Sequence, residues 1–100
     1  MVEQKELVCR KALEYVLNTE FSDGMFSLDG YDEESVCLKK EGTVWEVYVG
    51  FRGQKKELTE YDNIISACLG MIKMLTPHDE ALRRKLDNLF VNSIITDKIA

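Results

Sequence analysis

The sequence predicts a single α+β domain in which helices cover one face of an antiparallel sheet. Apolar residues recur at helical spacing near both ends of the chain, whereas the centre alternates apolar and polar residues with a period of two. The chain has 100 residues, of which 45% are hydrophobic, and this is enough to bury one core. We therefore expect residues 1–100 to form a helix, a three- to four-stranded antiparallel meander and two further helices, in that order.

An amphipathic helix and a short strand are predicted in the N-terminal part of the chain. Cys9, Leu13 and Val16 lie at helical spacing among charged residues, which predicts a helix over residues 2–18. A turn-forming stretch follows, and the apolar run at residues 25–28 predicts a first strand.

The clearest strand signal lies at residues 44–52, where apolar and polar residues alternate. Period-two alternation places successive side chains on opposite faces of a sheet. The face expected to meet the helices carries Trp45, Val47, Val49 and Phe51. The opposite face, expected to be exposed, carries Glu46, Tyr48 and Arg52.

Shorter strands are predicted on either side of this one. Residues 36–38 precede the tight-turn signal at Gly42, and residues 55–58 follow a second turn at Gly53. The last of these strands is charged, as is typical of strands that protect a sheet edge.

Two helices are predicted after the strands. Asp62 is a suitable N-cap for an apolar helix over residues 64–75, which we expect to be the most buried helix. Thr76 is expected to cap the last helix, with Pro77 in its first position and two acids in its first turn. The packing stripe of that helix contains Leu82, Leu86, Leu89 and Phe90.

Charge is distributed unevenly along the chain. Between Ala12 and Leu38 there are seven acids and no Lys or Arg, whereas the remaining residues include 11 acids and 13 bases. The net charge of -5 thus combines -7 in this stretch, called the charge gap below, with +2 elsewhere. Such an asymmetry can steer a basic partner onto one face of a protein, and it can equally be a solvated surface.

The composition also argues against several functions. A pI near 4.9 is unfavourable for binding nucleic acid, because Lys and Arg supply most of that affinity. The three cysteines, Cys9, Cys37 and Cys68, are widely spaced and are expected to be reduced core residues. No apolar run approaches the about 20 residues of a membrane span, and the N-terminus does not resemble a signal peptide. We therefore expect a cytoplasmic protein with no membrane or direct nucleic-acid partner.

No pattern in the sequence indicates catalysis or a metal site. His78, the only histidine, falls in the first turn of a predicted helix, and Cys68 lies on an apolar helix face where thiols are normally inert. The four acids within residues 29–34 lack the alternating ligands and central glycine of a calcium loop. The glycines of residues 50–53 are explained by a hairpin turn. We expect no enzymatic activity, no cofactor and no metal.

Protein binding remains as a function class. Tyr31 lies among four acids, and three further residues share the sheet face expected to be exposed. Aromatic anchors combined with charges are typical of interface hot spots, although ordinary surface residues give the same pattern. The predicted partner-binding residues are Asp29, Tyr31, Asp32, Glu33, Glu34, Glu46, Tyr48 and Arg52.

A Trp-x-Val-Tyr strand at residues 45–48, an Arg-Gly turn within 51–55, an aromatic-Asp pair at 61–62 and an Ala-Cys pair at 67–68 follow one another. This order resembles small bacterial immunity proteins that neutralise toxins of polymorphic or contact-dependent growth-inhibition systems. The resemblance implies a cytoplasmic protein without activity of its own, which binds the C-terminal toxin domain of a delivery protein. Many such toxins are nucleases with basic clefts, so the resemblance also implies a basic partner for the charge gap.

Two other function classes stay open. An adaptor or regulatory subunit would self-associate through an apolar C-terminal stripe that includes Ile94, Ile95 and Ile99, and its binding would be insensitive to salt. A small enzyme or metal-binding protein would use His78 or the acidic cluster, and would lose function on His78→Ala or on chelation. The sequence alone leaves the oligomeric state undecided.

Overall fold

The computed structural model describes the backbone of residues 2–99 and the side chains of residues 4–95. The elements are α1 (Val2–Asn18), a short 3-10 helix (Asp23–Met25), β1 (Phe26–Ser27), β2 (Val36–Glu41), β3 (Val44–Phe51), β4 (Gln54–Tyr61), α2 (Ile64–Leu75) and α3 (Glu80–Ile99). The predicted α+β class, with one N-terminal and two C-terminal helices, is confirmed.

The four-stranded sheet has the order β1-β2-β3-β4 and is mixed. β2, β3 and β4 form the predicted antiparallel meander, but β1 runs parallel to β2, with Phe26 beside Val36. The prediction of an antiparallel sheet is therefore wrong at β1. A strand of two residues carries no sequence signal for its direction, and a parallel neighbour requires the chain to cross over the sheet.

Residues 28–35 make this connection and are called the acidic crossover below. Tyr31 and Asp32 lie on the sheet face opposite the helices, whereas Leu28 packs against the core and Asp29 pairs with Arg10 of α1. The ring of Tyr31 stacks on that of Tyr48, with the ring centroids 6.3 Å apart. Gly50 lies directly under the backbone of Asp32, close enough that a Cβ atom would clash with it. The second face of the sheet is therefore covered around Tyr48 and Gly50.

Burial of this face contradicts the prediction for two site residues. Glu46 and Tyr48 were expected to be exposed, but their exposed fractions are 8% and 0%. The alternation assigned both correctly to the face opposite Trp45 and Val47, and the acidic crossover then covers that face. Arg52, in the turn between β3 and β4, is exposed as predicted.

The hydrophobic core lies between the other sheet face and the helices. Leu38, Trp45 and Val47 contribute from the sheet. As predicted, α2 has the largest buried fraction of the three helices' described residues, and it packs on β2 and β3. Helices α1 and α3 pack against each other and against α2, which closes the core. Their fully buried side chains include Cys9, Leu13, Val16, Leu17, Leu86 and Phe90.

The starts of α2 and α3 differ from the predicted ones. Asn63, not Asp62, caps α2, because its side-chain oxygen accepts a hydrogen bond from the backbone N–H of Ser66 at 2.9 Å. α3 begins at Glu80. The carboxylate of the preceding residue, Asp79, accepts a hydrogen bond from the backbone N–H of Leu82 at 3.0 Å. Thr76 instead follows the end of α2 and donates its hydroxyl to a carbonyl in the last turn of that helix.

The edge strand β4 is longer than the predicted 55–58. It runs from Gln54 to Tyr61, and all residues from 54 to 60 are exposed. A strand with no buried face shows no apolar alternation, so its length could not be predicted. Its pairing with β3 shifts where Glu57 and Leu58 together oppose Tyr48, which makes a β-bulge.

Candidate protein-binding surface

The acids of the charge gap fall into two groups in the structure. Asp29 pairs with Arg10, and Glu20 pairs with Lys85 at 3.2 Å. Both bases come from outside the charge gap, so they partly neutralise it. By contrast, the acids at residues 32–34, called the acidic triplet below, are exposed and form no ion pair with any described Lys or Arg.

The middle carboxylate of the acidic triplet is bound by the β3–β4 turn. Glu33 accepts the N–H groups of Arg52 and Gly53 and the hydroxyl of Tyr31. The hydroxyl oxygen of Tyr31 in turn accepts the Gly53 N–H at 2.8 Å. Arg52 and Gly53 have φ of 52° and 75°, as the central residues of a type I′ hairpin turn do. The acidic crossover is thereby tied to the hairpin.

These hydrogen bonds change the ionisation of both side chains. The Tyr31 hydroxyl, followed by the Arg52 amide, lowers the pKa of Glu33 because both donate to its charged form. The same bond raises the pKa of Tyr31, since the phenolate could no longer donate to Glu33. Glu33 is therefore ionised and bound at neutral pH.

Further contacts fix the backbone of the acidic triplet. The N–H of Gly50 donates to the carbonyl of Ser35 at 2.9 Å, and its carbonyl accepts the N–H of Glu34 at 2.7 Å. The N–H of Asp32 donates to the Sγ of Cys37 at 3.3 Å. Because this backbone is already ordered, binding a partner would cost little conformational entropy.

Tyr48 lies beneath the acidic crossover, and Glu46 lies two residues before it on the same sheet face. The Nζ of Lys55 lies 2.7 Å from the Glu46 carboxylate and 5.2 Å from the centre of the Tyr48 ring. The bond to Glu46 raises the pKa of Lys55, and burial raises the pKa of Tyr48. The Tyr48 hydroxyl is buried without a hydrogen-bond partner in the described structure. Tyr48 therefore supports the surface from below, and Glu46 holds Lys55 against the Tyr48 ring.

Arg52 completes the exposed part of the surface. Its guanidinium lies 5.1 Å from the centre of the Phe51 ring, which is 41% exposed, whereas only its backbone N–H binds Glu33. The structure thus places six of the eight predicted residues at the surface around the acidic crossover and the adjoining turn. They are Asp29, Tyr31, Asp32, Glu33, Glu34 and Arg52.

Gly50 is a site residue that the sequence analysis missed. It provides the space and the backbone hydrogen bonds that hold the acidic crossover, although it was interpreted only as part of a turn. A glycine within a strand pattern often marks a close backbone approach, so its position at the end of the alternating stretch was the available signal.

A concavity lies between β4 and the turn that joins α2 to α3. It is an open cleft of about 900 Å³, lined by Thr59, Tyr61 and His78 among others.

Burial strongly raises the pKa of Cys68, which keeps this thiol protonated. Among the described side chains, no group of three or more His, Cys, Asp or Glu residues is placed to hold a metal ion.

Comparison of the chain with models of protein families, with curated proteins and with solved structures found no match. No helix within the described residues is long and apolar enough to cross a membrane.

Proposed function

We propose that this protein is an immunity protein that binds a basic toxin domain through the acidic triplet and thereby neutralises the toxin. The observation that carries this proposal is three consecutive, exposed carboxylates that form no ion pair with a described base, on a backbone fixed by Gly50 and the β3–β4 turn. The protein acts in the cytoplasm of the bacterium that makes it and has no catalytic role.

The fixed backbone favours binding because the charges are already in position. An interface made by a flexible acidic loop would lose part of its free energy to ordering that loop. Here Glu33 is held by backbone amides and by Tyr31, and the flanking carboxylates at Asp32 and Glu34 project from the same ordered segment. Tyr31, which is 41% exposed beside them, supplies an aromatic contact of the kind enriched in interface hot spots.

The charge of the acidic triplet suits a nuclease toxin as the partner. A protein that binds nucleic acid uses Lys and Arg to neutralise phosphates, and these bases would also attract a carboxylate row. Electrostatic steering raises association rates by about 10- to 1000-fold, which favours rapid capture of an incoming toxin. The resemblance of roughly residues 36–70 to immunity proteins adds support from the sequence.

The first test is to capture the partner and measure inhibition. The immobilised protein is exposed to lysate of the native bacterium, washed at low and high salt, and its partner identified by mass spectrometry. We expect a basic toxin domain, eluted by salt, whose toxicity is suppressed by co-expression of this protein. A captured partner that has no toxicity, or whose toxicity is not suppressed, would contradict the proposal.

Charge reversal then tests the surface. Glu33 also holds the fold of the crossover, so the appropriate variant is Asp32→Lys with Glu34→Lys. We expect slower association with the toxin and a weaker salt dependence. The matched control is Glu14→Lys with Asp23→Lys, which changes the net charge equally at two other acids without an ion pair in the described structure. Equal effects of the two double variants would show that only overall charge matters.

The adaptor alternative has one supporting observation. Val91 and Ile95, one turn apart on α3, are 41% and 50% exposed. Ile94 packs against the core instead, and the side chain of Ile99 lies outside the described residues. An adaptor that uses this stripe would bind with little dependence on salt and would lose binding on Val91→Ser with Ile95→Ser.

A further inference from the structure

The outer edge of β4 is an exposed strand edge. No described strand pairs with this side of Gln54–Tyr61, and residues 54–60 are exposed throughout. Such an edge presents backbone N–H and C=O groups that another strand can bind.

The outward-facing backbone groups can be assigned from the sheet register. Gly50 directs its N–H and C=O toward β2, where they bind residues 34–35, so Lys55 opposite it directs its own groups away from β3. Glu46 lies four residues before Gly50 and has the same orientation. Glu60, which opposes Glu46, therefore also directs its N–H and C=O to the free edge.

The bulge in β4 makes this edge selective. Lys55 and Glu60 are five residues apart, whereas outward-facing residues of a regular strand are separated by even numbers. The odd spacing arises because Glu57 and Leu58 together oppose Tyr48. A regular strand could hydrogen-bond to the backbone of Lys55 or to that of Glu60, but in one register it could not bind both. An antiparallel second copy of β4 matches both, since it carries the same spacing in reverse.

The charges on this edge are complementary in that same register. Lys55 and Glu60 lie on one sheet face, because they oppose Gly50 and Glu46 respectively. In a two-fold pair, Lys55 of one copy would face Glu60 of the other. Within one chain, Glu60 lies opposite the like charge of Glu46 and forms no ion pair with a described base. Lys55 already binds Glu46 of its own chain, so in the pair it would bridge that carboxylate and Glu60 of the second copy, which binds no described base of its own chain.

We propose that the protein forms a two-fold dimer in which two β4 strands pair antiparallel, with Lys55 of each copy opposite Glu60 of the other. Leu58, which is 46% exposed, lies beside the two-fold axis and is partly covered. One strand pair is smaller than the about 800 Å² per partner of a stable interface, so the dimer forms reversibly as the concentration rises. The acidic triplet is not part of this edge, although Lys55 also packs on Tyr48, and the dimer does not depend on the proposed function.

Sedimentation equilibrium of the full chain tests the dimer. With rising concentration, the apparent mass of the wild type should increase from 11.5 kDa toward twice that value. Glu60→Lys should stay monomeric over the same range, because Lys55 then meets a lysine. This variant also places a lysine opposite Glu46, so we expect it to keep its fold. Thermal unfolding followed by circular dichroism checks this.

Charge exchange tests the register itself. Glu60→Lys and Lys55→Glu should each fail to self-associate, yet a mixture of the two should form a heterodimer with both pairs restored. The double variant Lys55→Glu with Glu60→Lys should dimerise with itself and not with the wild type. In this double variant the new lysine at position 60 replaces the lost partner of Glu46, so the test remains available if Lys55→Glu alone does not fold.

The control is Glu14→Lys, which makes the same charge change on α1 and should dimerise as the wild type does. A wild type that remains monomeric up to millimolar concentration would overturn the proposal. So would a dimer that Glu60→Lys leaves intact, since its interface would lie elsewhere, for example on the exposed stripe of α3.

Discussion

A Cβ atom at Gly50 would lie 2.2 Å from the backbone carbonyl oxygen of Asp32. The same atom would come within 3.1 Å of the ring of Tyr31. The absence of a side chain at this one strand position allows the acidic crossover to lie on the sheet and to exchange backbone hydrogen bonds with β3. The placement of the acidic triplet thus depends on a glycine that carries no charge.

Gly50→Ala is expected to destabilise the protein by about 1–3 kcal/mol, because the nearest atom is backbone and cannot rotate away. The free energy of unfolding is measured by urea denaturation. Gly24→Ala is the matched control, since no atom lies within 4 Å of a Cβ there and its φ is not in the left-handed region. Gly24→Ala should change the stability by less than about 1 kcal/mol. Equal losses for both variants would contradict the close approach.

The sequence predicted this site only in part, for a physical reason. The exposed acids and Tyr31 could be identified from local composition, because charge and polarity place them at the surface. Burial of Tyr48 depends on the path of residues 28–35 across the sheet. That path follows from the parallel pairing of β1 with β2, which joins residues distant in sequence and leaves no periodic signal.

Glu57 provides a test of the bulge in β4. Its φ of 53° lies in the left-handed region, where a residue with a Cβ atom is strained by about 1–2 kcal/mol. Glycine relieves this strain but loses more conformational entropy on folding, which offsets part of the gain. Glu57→Gly should therefore raise the free energy of unfolding by about 0.5–1 kcal/mol. Thermal and urea unfolding of this variant measure the change.

Lys56→Gly is the control for that substitution, because it introduces glycine at the neighbouring exposed position, where φ is not positive. It should destabilise the strand by about 0.5–1 kcal/mol. Stabilisation by both variants would mean that loss of the side chain, rather than relief of backbone strain, is responsible.

Asp87 on α3 should make stability depend on pH. Burial raises its pKa above the ordinary 3.8, although Arg83 opposes this shift, and its Oδ1 is buried without a hydrogen-bond partner in the described structure. The folded state therefore binds more protons than the unfolded state, and this contribution to stability decreases as pH rises from 3.8 through the folded pKa. Asp87→Asn cannot ionise, so its stability relative to the wild type should increase over that window.

Urea unfolding at a series of pH values measures the difference between the two proteins. Glu80→Gln is the control, because Glu80 also pairs with Arg83 but lies exposed at the start of α3. A difference between Asp87→Asn and wild type that is constant with pH would rule out a buried ionising carboxylate as the cause.

The lengths of three of the four strands show which parts of the fold the sequence could not predict. β3 alternates because one face packs on the core, and its limits followed from that alternation. β4 has no buried face, and β1 has two residues, so neither carries a pattern that fixes its extent or direction. In α2, by contrast, a continuous apolar run was enough to identify the most buried helix.

Glu33 links the fold of the acidic crossover to its charge. Its carboxylate is bound by the hydroxyl of Tyr31 and by the amides of Arg52 and Gly53, which together lower its pKa from the ordinary 4.5. The unfolded state then binds more protons, so the stabilisation is fully present above pH 4.5 and is lost as pH falls through the lower folded pKa. Glu33→Gln should remove this acid-dependent part of the stability.

Glu34→Gln separates this structural effect from charge alone. Glu34 is the next residue, is exposed, and its side chain forms no hydrogen bond or ion pair with a described residue. Both substitutions remove one negative charge from the acidic triplet, so steering of a basic partner should weaken equally. Only Glu33→Gln should also flatten the acid limb of a plot of stability against pH. If Glu34→Gln flattened it as much, the hydrogen bonds to the turn would not be what stabilises the crossover.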